Sequence, residues 1–159
     1  VDGVSTGALD PARPWLYPWS LAIRDDGTLV AALGAPDGPT CAGARMLDWT
    51  GERIDFAGGA LNLYGRAYQL GTGLPADDPA GSGAGPALFA CGGAMAILRS
   101  VFLDVGGFDA SFGAYFEDVD LGWRLWLLGH KVTLAPTAVA RHRQHATGGR
   151  RWPNSLSEA

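Results

Sequence analysis

Phe116-Glu117-Asp118-Val119-Asp120-Leu121 places three carboxylates within four residues, directly upstream of an apolar, tryptophan-bearing helical pattern. Like charges that close repel one another and resist burial, so a fold keeps them only where something compensates. A helix N-terminus, a metal ion or a substrate whose proton must be removed would each do so. Leu121, Leu125 and Leu128 recur at i, i+4 and i+7 and Trp126 widens their stripe, which predicts a helix over residues 118–128. The carboxylates sit at its start, Gly129 closes it, and His130 and Lys131 lie at its negative end.

Around that helix the punctuation is dense. Residues 42–47 read as a short buried strand, Asp48-Trp49-Thr50-Gly51 as a turn, and residues 53–56 as a strand returning in a hairpin before Gly58-Gly59 breaks it. The stretch 74–86, rich in Pro, Gly and Asp, reads as a surface loop of the kind that covers binding sites and, more often, merely connects. Residues 87–91 predict a strand and 94–98 a further short apolar piece. A helix over 100–105, capped by Ser100, ends at Gly106-Gly107. Two short strands, 131–135 and 138–142, follow on either side of Pro136, and the chain from Gly148 reads as a tail. Residues 1–20 interleave Pro11, Pro14 and Pro18 with Trp15, Tyr17 and Trp19, which forbids a continuous helix. Residues 27–33 are ambiguous between helix and strand.

The 159 residues suit one domain with a hydrophobic core, at 47% apolar and 18% charged residues. A formal charge of −4 without a long basic run argues against a general nucleic-acid binder. Arg141, Arg143, Arg150 and Arg151 make the C-terminal end locally basic, which reads as a solvated tail. Cys41 and Cys91 have neither disulfide nor zinc spacing and read as small buried residues of a cytoplasmic protein. The apolar run 87–98, interrupted by Gly92 and Gly93, is too short to span a bilayer, so membrane contact would be peripheral.

The order of motifs resembles the family 2 glycosyltransferases, within them the rhamnosyltransferase-like bacterial enzymes that build cell-surface polysaccharides. The resemblance is carried by Cys91-Gly92-Gly93-Ala94-Met95, Arg99-Ser100-Val101-Phe102, Val105-Gly106-Gly107-Phe108-Asp109, the acidic motif, Arg124, Gly129-His130 and the stretch from Pro136 to His142. Gly43-Ala44-Arg45-Met46-Leu47-Asp48 and Ile54-Asp55-Phe56-Ala57-Gly58-Gly59 resemble the segment just upstream. The match covers roughly residues 42–149. It implies an α/β fold of the GT-A type, a mixed sheet with flanking helices. It also implies inverting transfer of a sugar from a nucleotide-diphospho-sugar donor to a saccharide or lipid-linked acceptor, in the cytoplasm or at the inner face of the bacterial membrane.

Residue by residue, the resemblance makes Asp118 the general base. Glu117 would bind acceptor hydroxyls or support the loop. Asp120 would contact substrate or serve the helix dipole. Gly92 and Gly93 would let a sugar approach the backbone, although a tight turn accounts for them equally. Trp123 would stack on a sugar ring or pack in the core. His142, with His145 as a competitor, would complete a divalent metal site for Mn2+ or Mg2+ that this chain holds incompletely. Upstream of Ala42 there is no Asp-x-Asp pair after an apolar strand and no glycine-rich phosphate loop; Arg24-Asp25-Asp26-Gly27 reads as a turn. The expectation is therefore residues 1–41 as an irregular or divergent segment, 42–149 as the acceptor-side, base-bearing part of the enzyme, and 150–159 as a tail. The chain is expected to be a C-terminal fragment lacking the donor half and nearly inactive alone. The alternatives are a non-catalytic carbohydrate-binding remnant and a divalent-metal protein using Asp118, Asp120 and His142. The carboxylate spacing does not fit a calcium loop.

Overall fold

The computed structural model describes residues 22–23, 38–112 and 115–143. The expectations for residues 1–20, 24–33, His145 and the tail lie outside the described residues. In chain order the elements are β1 (Ala22–Ile23), β2 (Cys41–Asp48), β3 (Ile54–Phe56), β4 (Gly59–Leu61), β5 (Ala67–Gln69), β6 (Gly85–Pro86), β7 (Met95–Ile97), α1 (Arg99–Asp104), α2 (Glu117–Leu127) and β8 (Val132–His142). Single 3-10 turns fall at Pro79–Gly81, Gly92–Ala94 and Ala110–Phe112.

The sheet is mixed. Its two long strands, β2 and β8, run parallel at the centre. On its other edge β2 pairs antiparallel with β7 through Cys41 to Gly43 and with β3 through Met46 and Leu47. The outer edge of β8 takes β6 and β1, both antiparallel. β4 and β5 form a separate hairpin, which the sequence pattern did not reveal. The segment up to residue 41 thus contributes β1 to the sheet.

The two strands expected around Pro136 are one strand with a bulge. Pairing runs from Cys41 opposite Val132 to Ala44 opposite Ala135, then jumps to Arg45 opposite Val139 and ends with Asp48 opposite His142. Pro136 has no N–H to give the ladder, so the chain bypasses it and resumes pairing beyond. The predicted hairpin of β2 and β3 is present. Its turn is closed by Asp48, whose Oδ1 accepts from the backbone N–H groups of Gly51, Glu52 and Arg53 at 2.8, 2.9 and 3.2 Å.

Residues 87–91 are not a strand. They form an extended segment passing between the sheet and α2, and three neighbours lack a side chain where it passes. A Cβ on Gly43 would lie 2.8 Å from Ala90 Cβ, one on Gly59 2.3 Å from the Phe89 ring, and one on Gly122 2.5 Å from the Leu88 carbonyl oxygen. The segment is held by backbone bonds to Gly59 and Val132, and Trp126 Nε1 donates to Ala87 O at 2.9 Å.

One core cluster joins β2, β3 and β8 around Met46, Ile54, Phe56, Phe89 and Ala140; a second joins α1 and α2 to the sheet through Val101, Leu121, Leu125, Cys41 and Val132. Leu121 and Leu125 are buried as the helical stripe requires, but Leu128 is exposed because the helix has already ended beneath it. Helix α1 starts at Arg99 after Leu98, so Ser100 lies inside it rather than capping it. Gly106 and Gly107 end it with φ of +86° and +68°, values that L side chains rarely adopt.

Arg124 ties the two helices together. Its guanidinium donates to Asp120 Oδ2 from Nε (2.8 Å) and Nη2 (2.6 Å), and to the carbonyl oxygens of Val105 (2.6 Å) and Gly107 (2.7 Å). Replacing Arg124 by Met keeps the stem and orphans these acceptors, and is expected to lower unfolding free energy by about 2 kcal/mol. Urea denaturation with an unchanged m value checks it; an unmoved midpoint would show the fork to be dispensable.

Candidate functional site

The N-terminus of α2 and the turn at Gly92–Ala94 face each other. Asp118, partly buried in the first turn of α2, accepts the Gly92 N–H on Oδ2 at 3.1 Å and the Val119 N–H on Oδ1 at 2.9 Å. Burial raises its pKa above the ordinary aspartate value, against the opposing pull of those N–H groups. Crowding by its neighbours is not the cause. Glu117 is likewise raised, chiefly by burial, with the Asp118 charge adding to it while N–H groups of Glu117 and Tyr115 oppose. Its Oε2 is buried without a hydrogen-bond partner. A carboxylate of raised proton affinity, partly buried and oriented by backbone donors, is suited to taking a proton from a weakly acidic alcohol near neutral pH.

Gly92 and Gly93 are not required by packing: a Cβ on either would meet its nearest neighbours at 3.7 Å or more, ordinary contact distances. Their backbone is therefore open to approach. Immediately before α2, Tyr115 and Phe116 both adopt left-handed backbone, φ +73° and +69°. Bulky residues rarely do so, and each costs roughly 1–3 kcal/mol. Both rings remain about half exposed beside the carboxylates. Nothing in the local sequence signals this conformation.

Asp120 and Trp123 point elsewhere. Asp120 is engaged by Arg124, and Trp123 lies about 140° round the helix from Asp118 by helical geometry. Trp123 is 48% exposed, so it is not core.

His142, at the end of β8, places Nδ1 2.7 Å from Oδ2 of Asp55 on β3. Asp55 is 7% exposed and is the one charged side chain in the buried class among the described residues. Sequence reasoning missed it: its residue type in a three-residue strand marks nothing, and only the register of β2 with both β3 and β8 brings it to His142. Cys91 feels charge from both groups. Its thiol is pushed up to about 12, first by burial, and the charges of Asp118, Asp55 and Glu117 each raise it further, against a Gly93 N–H. All three carboxylates therefore lie within electrostatic reach of one sulfur. Cys91 is only partly buried as a residue, whereas Cys41 is buried as expected.

A metal-ligating histidine usually has its second ring nitrogen held by a carboxylate, so the His142–Asp55 geometry fits one ligand position. Among the described residues no three His, Cys, Asp or Glu side chains converge on a common metal position. A shallow open depression elsewhere, lined by Gly106, Gly107, Asp109 and Arg124, contains none of these carboxylates or the histidine.

No protein-family model matches the chain. It is similar to the N-acetylglucosaminyl-diphospho-decaprenol L-rhamnosyltransferases of Mycobacterium tuberculosis strains CDC 1551 / Oshkosh and ATCC 25618 / H37Rv, at 28% identity over 170 residues, covering 87% of this chain and 52% of theirs. The chain thus spans about half the length of the curated relatives it matches. The crystal structure of GalNAc-T7 with UDP, GalNAc and Mn2+ matches 77% of this chain and 26% of its own, with a TM-score of 0.56 and 17% identity. That likeness establishes the fold, the GT-A type.

Proposed function

We propose, from the GT-A-type fold and the similarity to rhamnosyltransferases, that the chain carries the acceptor-side, base-bearing part of an inverting sugar transfer. The donor is a nucleotide-diphospho-sugar and the acceptor a saccharide or lipid-linked saccharide of bacterial cell-surface polysaccharide synthesis. The observation that carries this reading is the Asp118 carboxylate, partly buried, raised in proton affinity and fixed by the Gly92 N–H. Asp118 takes the proton of the attacking hydroxyl. Glu117, beside it with an unpartnered oxygen, binds or steers acceptor hydroxyls. Gly92 and Gly93 leave backbone open to the sugar. Asp120 positions α2 through Arg124, and Trp123, on another side of the helix, takes no part in the site. Inversion follows if the hydroxyl attacks opposite the departing diphosphate.

A divalent ion, Mn2+ or Mg2+, would neutralise the charge developing on that diphosphate. His142 would hold it, with the remaining ligands drawn from outside the set described above. No described helix is long and apolar enough to cross a membrane; a lipid-linked acceptor is met by peripheral contact at the inner face of the bacterial membrane.

The test is transfer of label from nucleotide-sugar donors to lipid-linked and free saccharide acceptors by the full-length protein, with anomeric configuration read by NMR. Transfer with inversion is expected. Saccharide binding without transfer would establish instead a non-catalytic carbohydrate-binding protein.

A further inference from the structure

We propose that the tip of the β4–β5 hairpin, Leu63 and Tyr64 with Arg66 beside them, is the surface through which the chain docks on an anionic lipid bilayer. This deepens the reading above, since a lipid-linked acceptor is met at such a surface, and rests on it only for the acceptor.

The hairpin turn holds two apolar side chains out in water. Asn62 Oδ1 accepts the backbone N–H groups of Tyr64 and Arg66 at 2.9 and 3.0 Å. The Asn62 N–H donates to Arg66 O and the Gly65 N–H to Asn62 O, each at 3.0 Å. Gly65 supplies the left-handed residue, with φ of +75°. With the backbone satisfied inside the turn, Leu63 and Tyr64 are 103% and 90% exposed, more than any other large apolar side chain among the described residues. Neither belongs to a core cluster, so the fold has no use for them there.

Local charge selects the occupant. Arg66 is exposed and forms no ion pair among the described residues, and no Asp or Glu occurs between Asp55 and Asp77. A Leu among acyl chains, a Tyr at the interface and an Arg reaching lipid phosphate divide the work of holding a membrane surface. The chain carries −4 overall, so net charge does not draw it to anionic lipid and the attraction is local. Area decides against a second copy of the chain: two side chains fall far short of the roughly 800 Å² per partner that a stable protein interface buries. The hairpin is also rooted beside the proposed base. The Gly59 N–H donates to Phe89 O at 3.2 Å and the Leu88 N–H to Gly59 O at 2.8 Å, and three residues beyond Phe89 the Gly92 N–H meets Asp118. Tip and site therefore share one hydrogen-bonded frame.

The experiment is co-sedimentation of the full chain with vesicles of phosphatidylglycerol and phosphatidylethanolamine in equal parts, free of any saccharide lipid. Wild type is expected to bind. Leu63→Ser combined with Tyr64→Ser is expected to weaken binding about tenfold or more at an unchanged melting temperature. Arg66→Gln is expected to weaken it about fivefold, an effect lost in high salt and on vesicles of phosphatidylcholine alone. Failure of wild type to bind, unchanged binding by the double variant, or an equal Arg66→Gln effect on phosphatidylcholine would each overturn the proposal. Self-association abolished by the double variant, with no vesicle binding, would make the tip an interface between copies instead. Should the double variant fail to fold, wild-type binding and Arg66→Gln decide alone. No sugar donor or acceptor is present, so docking without transferase activity would sink the functional reading and leave the tip in its role; transfer without docking would do the reverse.

Discussion

Asp118→Asn is expected to lower sugar transfer by roughly 10²–10⁴-fold while leaving acceptor affinity within a few-fold of wild type, because a positioned general base contributes on that scale. Asparagine preserves the shape and can still accept the Gly92 N–H through its oxygen, so the oriented turn survives and only the proton acceptor is lost. Asp118→Glu should not rescue the rate, since an extra methylene moves the oxygen by about 1 Å and misplacement of that size is enough to cost 10²-fold. The pH profile has a definite sign. Burial raises the Asp118 pKa, and the active form is the carboxylate, so the rate falls as pH drops through that raised value.

Stability moves the other way. A carboxyl whose folded pKa is raised adds stability below its unfolded pKa, and this advantage is lost as pH rises through the folded pKa. At neutral pH the ionised Asp118 therefore weakens the fold. Asp118→Asn is expected to melt higher than wild type at pH 7, with the two converging in acid below the ordinary aspartate value of 3.8. Transfer within tenfold of wild type would remove Asp118 from the role of base; a lower melting temperature at pH 7 would show that burial is not what dominates its environment.

The second large effect is at Gly122. A Cβ there would lie 2.5 Å from the Leu88 carbonyl oxygen, 2.6 Å from Phe89 Cβ and 2.8 Å from Phe89 Cα. Two of those three atoms are backbone, so no rotamer change relieves the clash and α2 must move off the segment. Gly122→Val is expected to destabilise by about 3 kcal/mol, at the upper end of overpacking costs. Even Gly122→Ala should be destabilising, although alanine gains up to about 1 kcal/mol in helix propensity. Function should fail with stability, because Asp118 lies one turn before Gly122 on the same face and moves with the helix away from the Gly92 N–H. Denaturation midpoints together with the Gly92 amide shift check both halves. A Gly122→Val protein of wild-type stability would show that the segment can give way.

Much of the machinery was legible because its signals are local. Glu117–Leu127 forms a helix on the spacing of Leu121 and Leu125 and stops at Gly129 for want of a side chain, and α1 ends at Gly106-Gly107 for the same reason. The hairpin of β2 and β3 follows from the short-range bonding power of Asp48. The Asp120–Arg124 pair, an i, i+4 couple, went unread because the family motif drew Asp120 towards substrate.

What the sequence by itself determined is thus the helix with its acidic start, the central hairpin, and the turn residues that bound them, since each depends on atoms only a few residues apart. Tertiary structure alone decided three things. Residues 87–91, with the composition of a strand, are kept out of the sheet and clasped by glycines from three different elements. Asp118 gained its proton affinity from burial rather than from its charged neighbours. Asp55 met His142 across 87 residues of chain because both β3 and β8 align on β2. Periodicity and capping carry no information about such meetings: register between distant strands is set by which packed faces fit, a property of the assembled core and not of any window of sequence.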